Sequence, residues 1–166
     1  VVDTPCQDVA QEVAQWRELR KTVSDQIAQE QQALQKELQQ SVVDIFGAYQ
    51  TLLQDPAFNS FVEQNIRDGN WLPGALRRAT RHFSELFLSM EDPYLRARHE
   101  DIQYLGNKLF NAWRGADRAA VAPGQAVVLM GHQVSVSDLA AVPLEQLAGV
   151  VCFEGSSLSH TAVLAN

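Results

Sequence analysis

The sequence predicts an α+β protein in which a helical bundle precedes a partial α/β unit. Over the first two thirds of the chain, apolar residues recur at steps of three, four and seven, which is typical of amphipathic helices. Two short Val- and Ala-rich runs near the end are typical of buried strands. All 13 Lys and Arg residues lie between Arg17 and Arg118. This charge boundary divides the chain into residues 1–118 and residues 119–166.

The helical unit, residues 1–118, is expected to contain several helices with short connections. Thr4-Pro5 predicts the start of the first helix, because proline is favoured at the first helical position. Asp55-Pro56 and Asp92-Pro93 predict two further starts, at which the aspartate side chain caps the helix. Gly69 is expected to end the helix that follows Asp55, since glycine readily adopts the left-handed conformation found there.

The last helix of this unit is expected to run unbroken from Tyr94 to Trp113, because an apolar stripe continues through the whole segment. The charged segment Arg98–Asp101 lies within it. We interpret that segment as a solvated helix face with local charge pairs.

The second unit, residues 119–166, changes to a β pattern. Strands are expected at Ala126–Met130 and Ala148–Phe153, with helical turns at Ser135–Ala141 and a further helix from Thr161. The order strand, helix, strand is half of an α/β layer. Two strands are too few for a stable sheet, so partner strands are expected outside this sequence. The chain opens on Val1 rather than Met and is therefore expected to be a fragment.

Composition argues against several classes of function. The net charge of −7 and the pI near 5.0 disfavour a nucleic-acid binder. No uninterrupted apolar run approaches about 18 residues, so a membrane span is not expected. Cys6 and Cys152 are far apart in sequence and are expected to be free thiols in a cytoplasmic protein. The four histidines have no metal-ligand spacing, so no metal site or other cofactor is expected within the chain.

The segment from residue 154 to residue 166 is the most informative candidate site. His160 is expected where a loop enters a helix, and exposed N–H groups there favour phosphate oxygens. Gly155 lets the backbone approach closely, and the hydroxyls of Ser157, Ser159 and Thr161 can donate to an anion. A neutral imidazole there can act as a nucleophile towards phosphorus. A lone histidine at a helix start is more often a capping or surface residue, so both interpretations stay open at this point.

A resemblance to a known family favours the first interpretation. The run from Gly155 through Ser159-His160-Thr161 to Ala165 resembles the phosphohistidine signature of the phosphoenolpyruvate-utilising enzymes. Asp92-Pro93-Tyr94-Leu95 resembles the helical subdomain of enzyme I of the phosphotransferase system. The resemblance extends from about Asp8 to Asn166. Ser replaces the usual Gly and Arg at positions 156 and 157, and Asn166 replaces the closing Arg, which is similar to the nitrogen-related branch.

The resemblance implies that His160 takes a phosphoryl group from phosphoenolpyruvate and passes it to an HPr-like carrier protein. Phosphoenolpyruvate and Mg²⁺ would bind a carboxy-terminal domain that this sequence lacks. The carrier would dock on the helical unit. Five residues are candidate partner contacts, and core packing is the alternative for all of them: Phe46, Tyr49, Leu52, Leu53 and Phe58.

Two alternative functions also fit the sequence. One is a non-catalytic helical interaction module with no phosphoryl exchange. The other is a fragment of another phosphoenolpyruvate-utilising enzyme, such as pyruvate phosphate dikinase, because the histidine motif alone fits that enzyme too.

Overall fold

The computed structural model describes residues 4–34, 40–115, 124–131, 134, 138 and 142–153. Within these ranges a helical unit is followed by two strands, which confirms the predicted α+β class. The helices are α1 (Val9–Leu34), α2 (Gln40–Gln54), α3 (Pro56–Arg67), α4 (Leu72–Leu88), α5 (Pro93–Ala97) and α6 (His99–Trp113). The strands are β1 (Val127–Gly131) and β2 (Leu147–Cys152), and a 3₁₀ turn at Leu144–Gln146 leads into β2. The predicted boundary at residues 118/119 lies outside the described residues and stays a prediction.

The first helix does not start at Thr4-Pro5, as the sequence predicted, but at Val9. Asp8 caps it, since its Oδ1 accepts a hydrogen bond of 3.0 Å from the Gln11 N–H. Pro5 instead forms an antiparallel bridge with Asn70. The neighbouring Cys6 N–H donates to the Gly69 carbonyl at 2.7 Å. Extended pairing to the distant α3–α4 turn therefore prevails over the local preference of proline for a helix start.

The other predicted helix boundaries are confirmed. Asp55 caps α3, and its Oδ1 accepts hydrogen bonds from the N–H groups of Ala57 and Phe58 at 2.8 and 2.9 Å. Asp92 caps α5 in the same way. Gly69 follows the end of α3 with φ = +96°, a conformation that residues with a Cβ rarely adopt.

The long helix expected from Tyr94 to Trp113 is divided at Arg98 into α5 and α6. The Arg98 N–H donates to the Leu95 carbonyl at 3.0 Å, a bond over three residues that tightens the end of α5. The Arg98 carbonyl then accepts from the Asp101 and Ile102 N–H groups at 3.1 and 3.4 Å. The apolar stripe predicted the helical content correctly but could not reveal this tightened turn.

The core of the helical unit lies between α1, α2, α3, α4 and α6. It contains mainly large apolar side chains with little or no exposure to solvent. The largest of them are Trp16, Phe46, Ile27, Leu53, Ile66, Leu72, Leu76, Leu105 and Leu109. Gly106 on α6 faces Thr80 on α4 so closely that an added Cβ would lie 2.7 Å from Thr80 Cγ2. The absence of a side chain at residue 106 is therefore what allows α4 and α6 to pack at this point.

Strands β1 and β2 form a parallel pair, with Leu129 opposite Val150 and Met130 opposite Val151. Both predicted strands are confirmed to within one residue at each end. Met130 and Val151 are 68% and 39% exposed, so this face of the two-stranded sheet is apolar and uncovered by the described residues. The helical turns predicted at Ser135–Ala141 and the helix predicted from Thr161 lie outside the described residues.

Candidate functional site

The predicted phosphoryl-carrying segment follows the carboxyl end of β2. His160 and its predicted supporting residues Gly155, Ser157, Ser159 and Thr161 lie outside the described residues. Before them, the Phe153 N–H donates to the Gly131 carbonyl at 3.1 Å, which extends the β1–β2 pairing by one residue. The carboxyl ends of β1 and β2 lie at the same edge, because the strands are parallel. Ligands of open α/β sheets bind at that edge, and Phe153, the last described residue before the predicted segment, lies there.

Four of the five candidate partner contacts are core residues, which corrects that part of the sequence prediction. Phe46, Tyr49, Leu53 and Phe58 are at most 3% exposed. The Phe58 ring packs against the Trp16 ring inside the core, with the ring centroids 6.3 Å apart. A partner cannot contact these four side chains while the bundle stays closed. Leu52 is half-buried and belongs to the rim of the core.

A different set of apolar residues is exposed around the connection between α4 and α5. Leu86, Leu88, Tyr94 and Leu95 are between 41% and 60% exposed, and we call them the α4–α5 patch. These residues are neighbours in the sequence, and exposed apolar side chains of this kind are candidates for contact with another protein. A sequence signal for part of the patch existed, since three successive apolar residues at 86–88 cannot all face one core from a helix.

An ion pair holds the start of α6, where the sequence was interpreted as a solvated helix face. The predicted local charge pair is confirmed, since Asp101 Oδ2 lies 3.1 Å from Nη1 of Arg98. The predicted solvation is wrong at Asp101, which is only 6% exposed. The Arg98 guanidinium also lies over the Tyr94 ring, 4.6 Å from its centroid. Arg98 thereby connects a residue of the α4–α5 patch to a buried carboxylate at the start of α6.

Tyr49 of α2 is buried in the bundle, close enough to Asp101 and Arg98 to feel their charges. Its ring stacks near that of Tyr104, with centroids 4.4 Å apart. Burial raises the pKa of Tyr49, and the Asp101 carboxylate raises it further because a second negative charge would be unfavourable there. Tyr49 is thus held as a neutral phenol, and its role in this structure is packing between α2 and α6.

The described residues do not contain a set of ligands for the Mg²⁺ that the resemblance implies for the longer protein. Nowhere in these ranges do three His, Cys, Asp or Glu side chains come together in a way that could hold a metal ion. These described residues therefore do not supply a binding site for the ion. The helices in the same ranges include none that is long and apolar enough to cross a lipid bilayer.

Two protein-family models match the chain. Residues 1–98 match the family model described as PEP-utilising enzyme, N-terminal. The chain belongs to the PEP-utilising enzymes. Residues 123–166 match a second model, described as PEP-utilising enzyme, mobile domain, and this range includes His160 and its motif.

Curated relatives of this PEP-utilising enzyme chain include phosphotransferase-system proteins. A phosphoenolpyruvate-dependent phosphotransferase system protein of Escherichia coli (strain K12) is 28% identical over 76% of the chain and 17% of its own length. A phosphoenolpyruvate-protein phosphotransferase of Listeria monocytogenes is 25% identical over 98% of the chain and 29% of its own length. The phosphoryl donor subunit DhaM of a PEP-dependent dihydroxyacetone kinase from Pantoea ananatis is 27% identical over 97% of the chain and 34% of its own length. The chain thus spans about a third or less of these relatives.

Two solved structures share the fold. One is titled the N-terminal domain of Enzyme 1 - Nitrogen, with a TM-score of 0.73 over 99% of this chain and 67% of that one. The other is an NMR structure of Enzyme I (nEIt), with a TM-score of 0.79 over 99% of this chain and 69% of that one. Both are 23% identical to this chain. Together with the family models, these matches confirm the resemblance to the N-terminal region of enzyme I.

Proposed function

We propose that this chain is the phosphotransfer region of an enzyme I-like protein, and that it passes a phosphoryl group between phosphoenolpyruvate and an HPr-like carrier. The observation that carries the proposal is the match of residues 123–166 to the mobile domain, because this range contains the Ser159-His160-Thr161 motif. The phosphoenolpyruvate would be bound by another domain of the longer protein. We place the protein in a reducing cytoplasm, because within the described residues neither Cys6 nor Cys152 forms a disulfide.

His160 is the residue to which we assign the covalent step. A nitrogen of its neutral imidazole attacks phosphorus, a P–N bond forms, and the P–O bond of the enol phosphate breaks with its electron pair on oxygen. The imidazole gives up its ring proton, and the enolate released takes up a proton to become pyruvate. In the second transfer the P–N bond at His160 breaks as a P–N bond forms on a histidine of the carrier. Gly155, Ser157, Ser159 and Thr161 would hold the phosphoryl oxygens through backbone N–H and hydroxyl groups.

The carrier is proposed to dock on the α4–α5 patch rather than on the core residues first considered. Its exposed leucines and Tyr94 supply the apolar centre that partner surfaces need. Glu91 and Asp92, both exposed, lie between the two halves of the patch in sequence. Residues 1–118 carry 13 basic and 17 acidic residues, a net charge of −4, which would favour a carrier with basic residues around its own apolar patch.

Phosphoryl exchange with a phosphorylated carrier tests the transfer step. The 166-residue chain is incubated either with labelled phosphoenolpyruvate alone or with an HPr-type carrier labelled on its histidine. We expect no label from phosphoenolpyruvate alone, and acid-labile label from the carrier. His160→Ala should abolish this label, whereas His99→Ala should leave it unchanged. Full labelling of the His160→Ala variant would remove His160 from the mechanism.

A matched pair of surface variants tests the docking step. Leu95 and Val9 are 41% and 40% exposed, on α5 and α1 respectively. Leu95→Asp should weaken carrier binding about tenfold, because it places a charge in the apolar centre of the interface. Val9→Asp should leave binding unchanged, as measured by calorimetric titration. Binding without any phosphoryl exchange would instead favour the non-catalytic interaction module.

A further inference from the structure

A groove runs along the bundle between α4 and α6 and is distinct from the phosphohistidine segment. Its volume is about 630 Å³, within the range typical of small-molecule sites. Leu76, Leu88 and Phe110 supply its apolar walls. The close approach of Gly106 to Thr80 narrows the space between the two helices at one point. This size and shape suit a small molecule better than a helix of a partner protein.

Ser84 contributes a hydroxyl group to the groove that has no hydrogen-bond partner among the described residues. The residue is 5% exposed and lines the groove. Its Oγ is buried and has no hydrogen-bond partner among the described residues. Leaving a buried hydroxyl unpaired is unfavourable, so a ligand atom that accepts its proton would stabilise the site. The nearby Thr80 hydroxyl does not share this property, since it donates to the Leu76 carbonyl at 2.9 Å.

The charges around Ser84 indicate what kind of ligand atom this would be. Arg81 lines the groove one helical turn before Ser84, and within the described ranges it makes no ion pair, not even with Glu85 one turn further on. Arg77 is a second cation on the same wall. Together with the Glu85 carboxylate, these two guanidinium groups give the lining residues a formal charge of +1. Guanidinium groups bind carboxylate and phosphate through paired hydrogen bonds.

We propose that the α4–α6 groove is a binding site for a small organic anion. The acidic group of the ligand accepts hydrogen bonds from Arg81 and from the Ser84 hydroxyl. The apolar part of the ligand packs on the walls formed by Leu76, Leu88 and Phe110. This site is independent of the chemistry proposed for His160.

The test uses three small probes and NMR titration of the ¹⁵N-labelled 166-residue chain. Phenyl phosphate and phenylacetate combine a ring with a phosphate or a carboxylate, and benzyl alcohol supplies a ring without charge. We expect saturable shifts of the Thr80, Ser84 and Asn107 amide signals with at least one anion, at millimolar concentrations. The anion that saturates identifies the acidic group that the groove prefers. Equal binding of benzyl alcohol, or shifts that never saturate for either anion, would overturn the proposal.

A matched pair of arginine variants separates the groove from general surface charge. Arg81→Gln and Arg78→Gln each remove one positive charge from α4, but only Arg81 lines the groove. Arg81→Gln should weaken anion binding about tenfold, and Arg78→Gln should leave it unchanged. Ser84→Ala, which shortens the side chain by one oxygen, should also weaken binding without unfolding the bundle. An equal loss in both arginine variants would overturn the assignment, because the anion would then respond only to overall charge.

Discussion

Gly106 and Gly47 are both helical glycines, and the structure predicts that alanine has opposite effects at the two positions. Alanine is favoured over glycine inside a helix by about 0.5–1 kcal/mol. At Gly47, in the middle of α2, an added Cβ would meet no atom within 4 Å. Gly47→Ala should therefore stabilise the protein by about 0.5–1 kcal/mol. For a protein of this size that raises Tm by about 1–4 °C.

At Gly106 the same change should be destabilising because of Thr80. The new Cβ would lie 2.7 Å from Thr80 Cγ2 and 3.0 Å from Thr80 Cβ, and would be closer still to Oγ1. Ordinary contacts between carbon atoms are about 3.5–4.0 Å, so α4 and α6 would have to separate by several tenths of an ångström or more. Overpacking of this kind costs about 1–3 kcal/mol. Because the gain in helix preference offsets part of this cost, Gly106→Ala should lower the free energy of unfolding by up to about 2 kcal/mol.

A second substitution at Thr80 tests this explanation directly. Thr80→Ala removes both atoms nearest to the new Cβ, so the Gly106→Ala change made in that background should cost little or become favourable. Denaturant unfolding of the four proteins in this cycle should give a coupling energy of at least about 1 kcal/mol. If Gly106→Ala stabilises the wild-type background as Gly47→Ala does, the close packing of α4 on α6 is refuted.

Three other predictions concern the stability of the helical unit. Asp55→Ala should lose about 1 kcal/mol in denaturant unfolding, because the N–H groups of Ala57 and Phe58 lose their acceptor, whereas Asp55→Asn should keep most of that stability. Lys108→Ala should cost about 2 kcal/mol or more, because it leaves Glu30 without the cation now 2.7 Å away, and a Lys108→Met/Glu30→Gln double variant should recover much of the loss. Stability should fall as pH rises above about 10, since an unfolded tyrosine ionises there while burial raises the pKa of Tyr49 in the folded protein, and Tyr49→Phe should reduce that fall. A pH profile of unfolding free energy that is identical for wild type and Tyr49→Phe would contradict the last of these.

Local signals in the sequence predicted the fold where the structure depends on local contacts. The side chains of Asp55 and Asp92 accept hydrogen bonds from backbone N–H groups two and three residues later, so a four-residue pattern was sufficient to predict both caps. Pro5 was misinterpreted because its conformation depends on pairing with Asn70, 65 residues later, which no local pattern contains. The turn at Arg98 was missed for a related reason, since the periodicity of apolar residues continues through it.

The partner surface was predicted less well than the histidine motif. Phe46 and Tyr49 are large, apolar and periodic, and these properties describe a core residue and a docking residue equally. A core residue differs from a docking residue only in being covered by neighbouring helices, and a local sequence pattern does not show which helices cover each face. Leu88 and Leu95 are exposed because α4 ends and α5 begins near them, so few neighbours remain to cover them.

The position of a transferred phosphoryl group tests the central proposal most directly. After incubation of the 166-residue chain with a phosphorylated HPr-type carrier, tandem mass spectrometry under alkaline conditions can locate the modified residue among the four histidines. The proposal predicts phosphate on His160. Phosphate on His82, His99 or His132 instead, or an unmodified chain beside a carrier that stays phosphorylated, would contradict it.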